Sequence, residues 1–493
     1  MSQPEIIAVS VCCGAILIFL LVIILRAIFC RNTRSEKPFV KPDGDSEEIQ
    51  KHISAAITFR TVSQVNENDV DWSQFDRFAQ FLEETYPNIH AKMQKKVIGG
   101  HALTFFLPGS DPALEPVAML AHQDVVPVTP GTEADWKHPA FSGHNDGEFI
   151  WGRGALDMKN HLIAVMEATE GLLAKGFAPK RGLYILLGCN EEIVASEHSS
   201  AKMIAQYLKD SGVRLKCVVD EGGGVIPLNI KGIIDKTLVG IGVAEKGYLD
   251  VELSVEAKGG HSSAPPAHTA LGVLAKAICA IEKHPYKAKM PSCIFDMLNI
   301  VGKDVKSFPL RLVTCNMRLF RPLVTFIMGK IPAAASVVRT CTAVTMCSAS
   351  TAPNVLPQRA TAVLNMRLMP GVSVESAVAR LERIIKDKRV KVRVLKANEA
   401  PPVSSTDTDT YKLAAKLLGS GSRDRTVAPY IVMGATDSRY YCGICDEIYR
   451  VSPFETDVSL LLTTHGTNER LPVSSIRTAV DFFTSFIAER TAF

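Results

Sequence analysis

Between about residues 100 and 245, short apolar runs ending in polar residues alternate with stretches of helical spacing. "VAMLAH" (117–122), "LYILLGC" (183–189) and "KCVVD" (216–220) are such runs, and residues 161–175 have helical spacing. Runs apolar on both faces suit strands covered on both sides, and their alternation with helices predicts an α/β fold with a mostly parallel sheet. In such sheets ligands bind at the carboxyl ends of the strands, so the polar residues closing these runs mark the expected site.

The texture changes from about residue 246 to 400. "YLDVELSVEA" (248–257) and "AVLNMRLMP" (362–370) alternate with period two, as half-buried antiparallel strands do. "SVESAVARLERIIK" (373–386) has the pattern of an amphipathic helix. An inserted α+β domain is predicted there. The parallel pattern resumes with "RTVAPYIVMGATDSRYY", and a last helix is expected over 473–488. A chain of 493 residues exceeds one compact core. The expected units are 1–30, a membrane anchor or signal segment; 31–45, a linker; 46–245 and 401–493, the catalytic domain; and 246–400, the inserted domain. Asp45 and Glu48 read as a capping pair opening the first helix after the linker.

Residues 6–25 carry no charge, and about 20 such residues span a bilayer core. Glu5 precedes them; Arg26, Arg31, Arg34 and Lys37 follow. An uncleaved anchor is the first reading, a cleaved signal the second and a buried helix the third. The secretory pathway is the expected destination. The positive flank and the lack of an Asn-x-Ser/Thr acceptor point instead to a catalytic domain on the cytosolic side. The net charge is only +4 and the basic residues are scattered, so no nucleic-acid partner is expected. The 12 cysteines are dispersed and read as free thiols; Cys442 and Cys445 form a lone CxxC, too little for a zinc ribbon.

Five segments carry chemistry. "LAHQDVVP" offers His122 and Asp124, two apart and so on one face of a strand. "WGRGALDMKN" presents Asp157 after a glycine-rich turn. "GCNEEIVAS" places Glu191 and Glu192 at a strand end, "CVVDEGGG" places Asp220 at another, and "TTHGTNER" offers His465. Taken singly, each has an ordinary explanation: a solvated acid, a helix cap, a structural histidine. Together they put carboxylates and imidazoles at the ends of one predicted sheet, a donor set that suits a pair of zinc ions.

These segments, in this order, resemble the co-catalytic zinc metallopeptidase family of aminoacylase, carboxypeptidase S and glutamate carboxypeptidase. The resemblance runs from about residue 45 to the C-terminus. "GATDSRYY", "IYRVSPF" and "HGTNERLPV" are most similar to the branch holding carboxypeptidase S and the N-fatty-acyl-amino-acid synthase/hydrolases. The resemblance implies two Zn2+ per chain, with Asp157 bridging, His122 and Asp220 completing one site, and Glu192 and His465 the other. It implies Glu191 as general base, Asp124 bonded to the far nitrogen of His122, and a cis peptide after Asp157. It implies that the inserted domain is a lid that also allows a homodimer. His261 in "KGGHSSAPP" would then face the oxyanion, and Asn354, Arg367 and the backbone of Gly434 the substrate's carboxylate.

The implied activity is cleavage, and in reverse synthesis, of N-acyl amino acids. A carboxypeptidase trimming short peptides is the alternative, and a catalytically dead membrane-anchored binding protein a third reading. Residues 293–338 are rich in Leu, Val, Phe and Met, with few acids. They read as lid core or dimer contact, or as a greasy surface facing a fatty acyl chain or a membrane.

Overall fold

Three buried runs build the centre of the catalytic sheet. In the computed structural model, which describes residues 3–30, 37–42, 44, 46–193 and 198–492, Val117–His122 is buried at every position. It pairs in parallel with Leu183–Gly188 on one side and Cys217–Asp220 on the other. The sheet runs Gln94–Ile98, Ala102–Leu107, Leu183–Gly188, Val117–His122, Cys217–Asp220, Ile448–Arg450, Ile234–Glu245, Arg425–Val432. Gly224–Ile230 adds a ninth strand against Ile234–Glu245. The centre is parallel, and antiparallel pairs extend it at both sides. One face is covered by the Lys159–Ala174 and Ile476–Thr491 helices, which join Leu162, Val165, Phe483 and Phe486 to the main core. The other face is closed by the Ser200–Asp210 helix and by Tyr441 and Ile444.

The period-two segments form a separate four-stranded antiparallel sheet: Cys341–Ser348, Arg359–Leu368, Gly247–Glu256, Val390–Asn398. Leu249, Val251, Leu253, Leu364 and Met366 point to one face, where the Ala270–Lys283 and Val374–Ile385 helices cover them. Alternation in the sequence therefore maps directly onto a sheet with one buried face.

The block 246–400 is not one unit in space. After the Ala270–Lys283 helix the chain leaves the lid, and helices Ser292–Gly302, Phe308–Thr314, Met317–Met328 and Pro332–Ala335 lie against the catalytic domain. Met290, Cys293, Ile294, Met317 and Val338 belong to the catalytic core, and the Ser292–Gly302 helix packs on the edge strand Arg425–Val432. Amphipathic periodicity shows that a helix buries a face, not which partner receives it.

Gln3–Phe29 is one helix, long and apolar enough to cross a membrane. Of its residues only Ile23 and Ala27 are buried, where it meets the Phe308–Thr314 helix. The linker's far half is tied down: Phe39 N donates to Asp424 Oδ1 (2.7 Å), and the Arg425 guanidinium stacks on the Phe39 ring. The first helix after it, Glu47–Thr58, has Ser46 at its N-cap, without a side-chain cap bond. Asp45, expected to cap it, lies outside the described residues. The cysteines are all free thiols.

Candidate metal centre

Each component arrives from a strand end or a tight turn. His122 closes the strand Val117–His122, and Glu191 and Glu192 follow Leu183–Gly188 after two residues. Asp157 comes off a turn in which Gly154 has φ +88°, and a Cβ there would press into Val125 at 2.8 Å. The Asp157–Met158 peptide is cis, as the resemblance implies. His465 sits at φ +61°, in the left-handed region that non-glycine residues visit sparingly and that recurs at functional sites.

The two oxygens of Asp157 face two different imidazoles. Oδ1 is 3.1 Å from His122 Nε2, and Oδ2 is 3.0 Å from His465 Nε2. Glu192 Oε2 lies 3.1 Å from His465 Nε2. Glu221 Oε1 lies 3.3 Å from His122 Nε2. Two triads thus share Asp157, with Glu191 grouped beside His122 and Glu221.

Asp220 does not join them. Its oxygens accept from Ser438 N (2.8 Å) and from the next residue's own N–H, Glu221 N (2.9 Å). The sequence places an acid at both 220 and 221, and successive side chains leave a strand end in opposite directions. The one that reaches His122 is Glu221, so the expectation for Asp220 is corrected: it braces the 437–443 turn. Asp124 also does more than expected. Its carboxylate accepts from Glu191 N and Glu192 N, both at 3.1 Å, which fixes the two-glutamate turn. The nearest partner of His122 Nδ1 is the Asp124 carbonyl at 2.9 Å, with Oδ1 at 3.4 Å.

The charges in this pocket oppose one another. Burial pushes Glu221 up to about 8, with the Asp157 charge adding, and burial likewise raises Glu192 and holds Glu191 well above the usual carboxylate range. Burial works against ionisation of Asp157 and His122 too. Their mutual bond, with His465 on Asp157 and with Asp124 and Glu221 on His122, keeps Asp157 ionised and lifts His122 well above its ordinary value. Asp157 and Glu192 raise His465 to about 10. Buried carboxylates this close demand protons or cations.

The residues fit a metal. Ligands of a tetrahedral zinc at bond lengths of about 2.0–2.1 Å stand about 3.3 Å from one another. The imidazole and carboxylate atoms here are 3.0–3.3 Å apart. Among the described residues Glu192 Oε1 is buried without a partner, an acceptor open to a cation.

Sequence reasoning missed the brace behind this cluster. Glu469 is fully buried; its Oε1 accepts from Gly154 N (3.0 Å) and Leu156 N (2.8 Å), and its Oε2 pairs with Arg153. Arg153 Nη2 donates to Gly466 O (3.1 Å), beside His465. One ion pair therefore ties the Asp157 turn to the His465 turn. Burial lifts Glu469 to about 7 even against Arg153, so the pair depends on the backbone donors that surround it. The only sequence signal was that Arg153 and Glu469 each stand a few residues from a ligand candidate.

The lid residues are placed differently. His261 and Asn354 lie on an exposed two-strand ribbon, where Gly260–His261 pairs Val355–Leu356 and Ser262 N donates to Asn354 O (3.1 Å). Ser263 N donates to His261 Nδ1 (3.1 Å), so the ring proton sits on Nε2, free to donate. Arg367 stacks over Tyr248, 4.7 Å from the ring centre. Gly434 is exposed in the loop after Arg425–Val432. Among the described residues no hydrogen bond or ion pair joins these four to the metal cluster.

An α/β sheet with imidazoles and carboxylates clustered from its strand ends and adjoining turns defines a metal-dependent hydrolase. Residues 118–489 match Peptidase family M20/M25/M40, and the chain belongs to that family. The peptidases of this family depend on metal ions. The chain is 32% identical to the probable carboxypeptidase S-like 2 of Dictyostelium discoideum, over 94% of this chain and 90% of that one. It is 34% identical to the N-fatty-acyl-amino acid synthase/hydrolase of Xenopus tropicalis, over 90% of this chain and 86% of that one. The crystal structure of an M20 family metallo-carboxypeptidase from Sulfolobus solfataricus shares the fold, with a TM-score of 0.66 at 19% identity, covering 90% of this chain and 98% of that one.

Proposed function

We propose that this chain hydrolyses N-acyl amino acids, N-fatty-acyl amino acids among them, and forms the same amides in reverse. The observation that carries this reading is Asp157 facing one imidazole with each oxygen, with Glu191 beside the pair. Four partly buried carboxylates next to two imidazoles carry the charge that two divalent ions neutralise, so we assign two Zn2+ per chain. His122, Asp157 and Glu221 hold one, and His465, Asp157 and Glu192 the other. Bound zinc supplies a polarised amide carbonyl and a more acidic water.

Glu191 takes the proton of the attacking water and hands it to the leaving amine, while Asp124 fixes its backbone. His261 donates from Nε2 to the developing oxyanion when the lid closes. Arg367, Asn354 and the backbone of Gly434 take the free carboxylate, for which a guanidinium fork is well shaped. This explains an amino acid on the amine side. The named activity of the Xenopus tropicalis relative supports the acyl side. The Dictyostelium discoideum relative's name supports the second reading, a carboxypeptidase acting on short peptides by the same chemistry. Comparing turnover of N-oleoyl-phenylalanine, N-acetyl-phenylalanine and a dipeptide separates the two.

The N-terminal helix, through residues 6–25, anchors the enzyme in a membrane of the secretory pathway; the opposite orientation would leave the catalytic domain on the cytosolic side, and protease protection tells them apart. The lid sheet ends in the strand Cys341–Ser348, paired on one side only and exposing Met346, which suits a homodimer through the lid. Glu191→Gln tests the chemistry: both zincs should stay, by atomic emission, while kcat falls by at least ~10²-fold. Near-native turnover of the metal-replete variant contradicts the assignment.

A further inference from the structure

Between Val305 and Arg339 the chain carries six basic residues and no acidic one. In the same stretch Phe308, Leu310, Leu319, Leu323, Phe326 and Ile327 are turned outward, Phe326 with 63% of its surface exposed. On the Met317–Met328 helix, Leu319, Leu323, Phe326 and Ile327 fall at i, i+4, i+7 and i+8, one face of the helix. Met317, Val324 and Met328, on the other side, join the catalytic core. The outer stripe is therefore not a misplaced core face, and an apolar stripe rimmed by charge marks a binding surface.

Its neighbour indicates what covers it. The N-terminal helix packs Ile23 and Ala27 here, and Asn316 Nδ2 donates to Ile23 O at 3.1 Å. Ile23 lies near the end of the uncharged stretch 6–25. A bilayer spanned by that stretch has its surface close to the level of Ile23 and Ala27. Asn316 is the N-cap residue of the Met317–Met328 helix, so the outward stripe begins within a turn of this contact. Arg318 and Lys330 are exposed beside the stripe, where lipid headgroups would lie.

We infer that the helices Phe308–Thr314 and Met317–Met328 form a second membrane contact, lying in the headgroup boundary beside the N-terminal span. The inference rests on the proposed anchoring role of that span. It also gives an acyl chain a route. Phe326, Tyr286, Met290 and Arg339 line a cavity of about 760 Å³ between the docked helix and the lid. Just beyond the Pro332–Ala335 turn, Ser336 Oγ is 3.0 Å from Met433 Sδ, one residue before Gly434. A lipid tail leaving the bilayer along this side stays in contact with protein up to the loop assigned to substrate binding.

The test uses the full chain in phosphatidylcholine/phosphatidylserine vesicles whose phosphatidylcholine carries brominated acyl chains, with Leu323→Trp and Val97→Trp variants compared with the parent for its own three tryptophans. Val97 is exposed on the strand at the opposite edge of the catalytic sheet. The Leu323→Trp emission should be quenched and the Val97→Trp emission should not. A Phe326→Asp, Leu323→Asp double variant should raise the apparent KM for vesicle-borne N-oleoyl-phenylalanine roughly fivefold or more while leaving N-acetyl-phenylalanine turnover unchanged. A chain that fails to associate with vesicles overturns the anchor and this contact together. A chain that associates but shows equal quenching at both positions, whether the face meets water or a second copy, overturns the docking face alone.

Discussion

The metal cluster and the lid ribbon are built on opposite principles. Around Asp157 the groups are cross-braced and, His465 apart, at least partly buried: Asp124 holds the Glu191–Glu192 turn, and Glu469 with Arg153 ties the Asp157 turn to that of His465. On the inserted domain His261 and Asn354 are exposed, and among the described residues their bonds stay within their own ribbon. A hydrolytic centre must be pre-organised because charge develops there, whereas the groups that recognise the substrate must open to admit it. Under the proposed roles these demands fall on two domains, and the separation predicts different failures in each.

His261→Ala offers the largest effect. It should lower kcat by ~10²–10³-fold, as loss of one oxyanion donor does, with zinc content and stability unchanged. A change confined to KM would place His261 outside the reaction. Glu469→Gln attacks the other side of the comparison. It should weaken zinc affinity by ~10–100-fold, measured by competition with a chelator, and kcat should recover at saturating zinc. A loss of kcat that excess zinc does not restore would mean that Glu469 acts on the chemistry and not through the ligands. Arg367→Lys should have the smallest effect, about a tenfold rise in KM for an N-acyl amino acid with kcat little changed. An equal effect on a substrate amide lacking the carboxylate would remove Arg367 from substrate recognition.

The same division explains how much could be read in advance. Parallel strands and a period-two lid sheet follow from local patterns, because each strand's face is written in its own residues. The gathering of His122 and Glu192 follows from strand ends converging at one edge, whereas Asp157 and His465 reach the same place from turns. The exchange of Asp220 for Glu221 does not, because it depends on where the strand Cys217–Asp220 stops, a tertiary matter of Ser438 capturing the first carboxylate. The Arg153–Glu469 brace joins residues 316 apart and leaves no local periodicity. The helices at 292–335 look like lid from sequence because they lie between lid strands, yet apolar side chains from them join the catalytic core, and the Ser292–Gly302 helix packs on its edge strand. Sequence order and spatial assignment part there, at the place where the N-terminal helix also attaches.

Anomalous diffraction at the zinc edge on the zinc-loaded protein would test the central claim most directly. Two peaks flanking Asp157, one coordinated by His122 and Glu221 and the other by His465 and Glu192, are the expected result. One peak, none, or an ion held by Asp220 in place of Glu221 would contradict it.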